Sequence, residues 1–128
     1  MIPPFSGRCA CGAVRYQCKA EALWQAHCHC ESCRRATSSA FASYFGVADG
    51  TWLWTGVTPA TYQSSPGVWR DFCAICGSPM GYHSTRFAGE MHFYAATLDH
   101  PEAYQPTHHV HSAERVPWLQ LSDTLSQR

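Results

Sequence analysis

Eight cysteines in a chain of 128 residues are the strongest constraint on what this sequence can fold into. They sit at 9, 11, 18, 28, 30, 33, 73 and 76, and seven of them fall into C-x-C or C-x-x-C patterns. A disulfide framework would suit an even count. However, Met1–Arg8 carries neither the basic nor the apolar region of a secretory leader, and a chain this long folds without staples. Bunched cysteines of this kind read instead as thiolate metal sites, for which zinc is the usual occupant.

Each cluster has its own logic. Cys9-Ala10-Cys11 on an extended strand would present two thiols to the same side, with Gly12 allowing a bend just after. Cys73-Ala74-Ile75-Cys76-Gly77 has the form of a knuckle whose turn brings two sulfurs to one ion. Two thiolates from each element complete a tetrahedral four-cysteine site, clamping together parts of the chain far apart in sequence. The third cluster, Cys28-His29-Cys30-Glu31-Ser32-Cys33, supplies three thiols with no fourth nearby. Three protein ligands and an open position is the pattern of a catalytic zinc. A site closed by a distant histidine and a metal-free set of thiols are the competing readings. Alternation places Cys28 and Cys30 on one face and His27 and His29 on the other, which makes those two histidines poor fourth ligands. Cys18 continues the alternation Val14, Tyr16, Cys18 and is expected in the core.

Between these clusters the chain reads as short strands punctuated by Gly, Pro and Ser. Strands are expected at Val14–Cys18, Ala40–Val47, Thr51–Thr55, Thr58–Gln63, Met80–His83, Met91–Thr97 and His108–His111. Brief helical turns are expected at Glu31–Ala36 and Asp123–Ser126. Trp52, Trp54, Trp69 and Trp118, with Phe41, Tyr44 and Phe45, are expected to pack the sheets. No repeat or linker divides the chain, so residues 1–128 are expected to form one mainly β domain. Nine basic residues balance nine acidic ones, which argues against a nucleic-acid binder. No stretch is long and apolar enough to span a membrane, and the expected setting is the cytoplasm.

The sequence resembles the glutathione-dependent formaldehyde-activating enzyme family, the CENP-V/GFA type. The resemblance is carried by Gly7-x-Cys9-x-Cys11-Gly12-x-Val14, by Cys28-x-Cys30-x-x-Cys33-Arg34, and by Arg70-x-Phe72-Cys73-x-x-Cys76-Gly77-Ser78. Later pieces extend it: Thr97-Leu98-Asp99-x-Pro101, Pro106 through His109-Val110, and Pro117-Trp118. It implies an Mss4-like β-tent of antiparallel sheets. It also implies a structural zinc on Cys9, Cys11, Cys73 and Cys76, and a second zinc on Cys28, Cys30 and Cys33. The activity it implies is carbon–sulfur bond making and breaking, as in S-hydroxymethylglutathione formation, with a small thiol such as glutathione as partner. Ser38 stands where many relatives have glycine, a residue that would permit positive φ.

On this reading the open zinc would carry a substrate thiolate, and Glu31 or His109 would move the proton. Arg34 and Arg35 would hold carboxylates of a glutathione-like peptide, or else balance the charge of the thiolate cluster. Arg70 is expected to brace the four-cysteine knuckle. The run His108-His109-x-His111 is not read as a further metal site. The alternative is a non-catalytic, zinc-scaffolded protein-binding module, which would have closed sites only.

Overall fold

A computed structural model describes all 128 residues. Eleven strands carry the fold, in two sheets. β1 (Phe5–Arg8), β2 (Arg15–Cys18) and β5 (Trp52–Trp54) form a three-stranded antiparallel sheet. The larger sheet contains β3 (Trp24–Cys28), β4 (Ala42–Ala48), β6 (Ala60–Ser65), β7 (Val68–Phe72), β8 (Pro79–Ser84), β9 (Glu90–Tyr94), β10 (His108–Val110) and β11 (Ser126–Gln127). Its order is β11-β10-β3-β4-β9-β8-β7-β6. All pairings are antiparallel except those of β10, which runs parallel to both β3 and β11. One helix, α1 (Glu31–Thr37), follows β3.

Alternation along β4 explains why the large sheet has two packed faces. Phe45 and Val47 join Met91 and Phe93 in a core completed by Tyr16 and Cys18 of the small sheet. Tyr16 stacks on Phe93 with ring centres 4.1 Å apart. The intervening residues Ala42 and Tyr44 turn to the opposite face, where they meet Cys28, Cys33 and Tyr94. Across that second face, cross-strand register lines up Trp24, Gly46, His92, Tyr82, Arg70 and Tyr62 in one row. Neighbours in such a row touch, and this one carries a charged guanidinium into the interior.

The mainly β architecture expected from the sequence is present, and Cys18 is fully buried in the core. Strands β1, β3 and β7 were not foreseen. The second helical turn is absent: Asp123 lies in irregular chain, and Ser126–Gln127 forms β11 instead. Trp118 is 73% exposed and packs no sheet.

Candidate functional site

The four-cysteine cluster is built from two similar turns. β1 ends at Arg8, so Cys9 and Cys11 lie in the turn beyond it rather than on the strand the C-x-C spacing suggested. Gly12 N–H closes that turn on the Cys9 carbonyl at 3.1 Å, and Gly12 has φ +81°. After β7, Gly77 (φ +80°) closes the second turn on the Cys73 carbonyl at 2.8 Å. Both geometries favour glycine. In each turn a backbone N–H meets the first sulfur, from Val14 to Cys9 at 3.3 Å and from Cys76 to Cys73 at 3.4 Å. Ala10 N–H donates to Ser78 Oγ at 3.0 Å and ties the turns together.

All four sulfurs lie within 4.8 Å of one another, with Cys9–Cys11 at 3.5 Å and Cys11–Cys73 at 3.8 Å. A tetrahedral zinc with Zn–S bonds of about 2.3 Å requires sulfurs about 3.8 Å apart. The donor set therefore fits that ion. The Ser78 hydroxyl and backbone pull the Cys76 thiol down to about 5. Cys11 is lowered by the Ala13 backbone, but Cys9 and the other thiols push it up to about 11.

The three-cysteine cluster forms where β3 passes into α1. Cys28 ends the strand, Cys30 caps the helix, and Cys33 is buried in the first turn. The Cys30 sulfur accepts the Cys33 N–H at 3.3 Å, which fixes the relative placement of the two thiols. Cys28 and Cys33 sulfurs are 3.6 Å apart, and all three fall within 4.8 Å of one another. No histidine or carboxylate completes this group. His27 faces away from it onto Ser43 Oγ at 2.8 Å, and His29 onto His109. Hydrogen bonds from Cys28 and Cys30 hold the Cys33 thiol down, at about 2, with Tyr44 and Arg70 reinforcing them.

Arg70 lies at this cluster and not at the four-cysteine knuckle, contrary to the expectation from its sequence position. It is 4% exposed. Nη1 donates to Tyr94 Oη at 2.9 Å and Tyr44 Oη at 3.3 Å, while Nη2 is 3.9 Å from Cys33 Sγ. The Tyr44 hydroxyl donates to Cys33 Sγ at 3.4 Å. The guanidinium also sits over the Tyr82 ring. Strand pairing explains the relocation: β7 places Arg70 opposite Tyr82, on the sheet face that carries Tyr44 and Tyr94.

A cavity of about 640 Å³ opens beside the four-cysteine cluster, with Cys9 in its wall, and none of Cys28, Cys30 and Cys33 lines it. Thr37, Ala42 and Tyr94 line it beside the three-cysteine group, and Arg8, Cys9 and Ser78 line it beside the four-cysteine group. A smaller cavity of about 320 Å³ is lined by Arg70, Tyr62 and Tyr94 among others. Tyr94 thus borders both.

The remaining candidates lie outside these cavities. Glu31 opens α1 on the exposed side and pairs with Arg35 at 3.0 Å, one helical turn on. Arg34 Nε reaches the His29 carbonyl at 3.4 Å. His109 is fully buried, bonded to His29 Nε2 at 2.7 Å and to the Asp123 carboxylate at 2.9 Å. That carboxylate fixes the proton on His109 Nε2, so the His29 Nε2–H is the donor to His109 Nδ1. Sequence reading missed Arg70, Tyr44 and Tyr94 as neighbours of the cluster. The available signal was an arginine inside Val68-Trp69-Arg70-Asp71-Phe72, a stretch otherwise suited to a strand.

No helix is long and apolar enough to cross a membrane. A crystal structure of a Rhodobacter sphaeroides protein shares the fold, with a TM-score of 0.59 and 24% identity, covering 73% of this chain and 87% of that one. An uncharacterized lyase of Schizosaccharomyces pombe is 30% identical over 84 residues, which are 66% of this chain and 61% of the relative. The match thus spans about three-fifths of that relative's length. The family model described as glutathione-dependent formaldehyde-activating enzyme matches residues 4–114, nearly the whole length, and the chain belongs to that family.

Proposed function

We propose that this chain is a zinc-dependent, carbon–sulfur lyase-like enzyme that forms and cleaves a thiol adduct of the S-hydroxymethylglutathione type. One observation carries the reading: three sulfurs gathered within 4.8 Å with no fourth protein donor, packed with Tyr94, which lines the larger cavity. Family membership and the lyase-named relative support the same class of chemistry. Cys9, Cys11, Cys73 and Cys76 would hold a structural zinc, and Cys28, Cys30 and Cys33 a second one. When bound at the three-cysteine site, zinc supplies a free coordination position that favours the thiolate form of a substrate thiol.

The chain's own residues set the conditions for that chemistry. The α1 cap fixes Cys30 against Cys33, which sets the spacing of the three-sulfur face. Arg70 places a buried positive charge against Cys33 and offsets the negative charge of three thiolates. The Tyr44 hydroxyl hydrogen-bonds Cys33 and keeps that sulfur from becoming the nucleophile itself. The larger cavity is roomy enough for a tripeptide-sized thiol, of which Arg8 could meet a carboxylate. Arg34 and Arg35 line neither of these cavities, and Arg35 is engaged by Glu31. Glu31 and His109 are engaged by Arg35 and by His29 with Asp123, so neither is assigned to the reacting atoms. Thiolate sites of this kind need a reducing compartment such as the cytoplasm.

Elemental analysis of protein purified with reductant and without chelator tests the reading, followed by glutathione titration of the cobalt-substituted protein. About two metal ions per chain and a thiolate-to-cobalt band that grows with glutathione are the expected results. A single ion per chain that persists after zinc supplementation, with no response to thiol, would favour a closed, non-catalytic scaffold.

A further inference from the structure

Two tyrosine hydroxyls flank Arg70, but they are used differently. Tyr44 is engaged on both sides: its oxygen accepts from Arg70 and its proton goes to Cys33 Sγ. Tyr94 accepts from the same Arg70 nitrogen at 2.9 Å, and unlike Tyr44 it is not hydrogen-bonded to a cluster sulfur. Tyr44 borders neither cavity, whereas Tyr94 borders both. A hydroxyl held by a buried cation, on a residue that lines a cavity, is a preorganised donor for negative charge that develops on a ligand oxygen.

We infer that Tyr94 is a catalytic residue whose hydroxyl donates a hydrogen bond to the carbonyl oxygen of the electrophile as the carbon–sulfur bond forms. This rests on the carbon–sulfur reading given above. In the step, the substrate thiolate sulfur attacks the aldehyde carbon and the new C–S bond forms. The carbonyl π pair moves to oxygen, where the Tyr94 O–H meets it. Water then protonates the alkoxide, and the hydroxide left behind neutralises the proton released when the thiol ionised. Cleavage runs the same path backwards. Arg70 is a positioning residue in this scheme: it orients the Tyr94 oxygen and strengthens its O–H as a donor.

Zinc-loaded protein and two small thiols separate this role from a structural one. Mercaptoacetate carries an anionic oxygen near the carbon attached to sulfur, and ethanethiol carries none. Calorimetric titration of the Tyr94→Phe protein should show mercaptoacetate binding weakened about tenfold, with ethanethiol binding and zinc content unchanged. In exchange NMR between hydrated formaldehyde and its glutathione adduct, kcat should fall by about 10²-fold. Unchanged mercaptoacetate affinity together with unchanged kcat would overturn the role of Tyr94 and leave the carbon–sulfur reading standing. If the wild-type protein binds neither thiol, the carbon–sulfur reading fails and this inference fails with it. A structure of the wild-type complex with mercaptoacetate gives a second reading, independent of any variant's folding. A carboxylate oxygen within hydrogen-bond distance of Tyr94 Oη supports the inference, and a carboxylate turned to solvent overturns it.

Discussion

Arg70 Nη2 lies 3.9 Å from Cys33 Sγ, and no carboxylate pairs with this buried arginine. Its countercharge is the three-cysteine cluster, so guanidinium and thiolates stabilise one another in the interior. Arg70→Leu should therefore cost about 3 kcal/mol of stability, because it leaves thiolate charge and two tyrosine oxygens without a partner. Urea unfolding at fixed zinc concentration checks this. A loss under 1 kcal/mol would mean that water reaches the cluster and already screens it.

The two clusters should respond differently to loss of one ligand. Cys73 is fully buried and joins distant parts of the chain, whereas Cys30 is half-buried in a local motif. Metal binding at a clamp of the first kind is coupled to folding. Cys73→Ser should give an unfolded chain by circular dichroism. Cys30→Ser should fold, hold one zinc ion fewer and show no activity. Equal unfolding of both variants would contradict a division of labour between the sites.

Ser38 ends α1 in the left-handed region, at φ 52° and ψ 40°. A side chain there carries a steric cost that glycine lacks. Ser38→Gly should raise stability by about 1 kcal/mol, read as a higher urea midpoint with unchanged slope.

His92 is buried between Tyr82 and Trp24 and bonded to Glu90 at 2.8 Å. Burial holds its imidazole below the ordinary value, although Glu90 and Cys33 pull it up and His83 adds to the lowering. The unfolded chain therefore takes up this proton first. The contribution of His92 to stability is complete above about pH 6.5 and declines as the pH falls below that value. His92→Gln should flatten the loss of stability between about pH 7 and pH 5.5 relative to wild type. Parallel profiles for the two proteins would show that other groups set the slope.

Much of this site was legible because cysteine spacing is a direct statement of geometry. The three groups at 9 and 11, at 28, 30 and 33, and at 73 and 76 gather as their spacing suggested. The glycines at 12 and 77 stand where both turns need positive φ. What stayed hidden depends on strand pairing. Nothing local distinguishes an arginine that braces the adjacent knuckle from one whose strand aims it at Tyr82 and Cys33. β7 was overlooked because Arg70 and Asp71 are both buried in its centre, where alternation would normally place at most one polar residue inward. The C-x-C was assigned to a strand by its period of two, but the reversal at Gly12 makes the same two sulfurs converge from a turn.

The order of the motifs along the chain also has a consequence for biosynthesis. Cys28, Cys30 and Cys33 emerge together, on a strand end and the helix that directly follows it. Cys9 and Cys11 emerge earlier but must wait for Cys73 and Cys76, after half of the large sheet's strands have been made. A growing chain can therefore gather the three-cysteine cluster early, whereas the four-cysteine cluster closes only once Cys76 has been made. During that interval Cys9 and Cys11 are an unmatched dithiol, and a nascent chain starved of metal is most open to oxidation there.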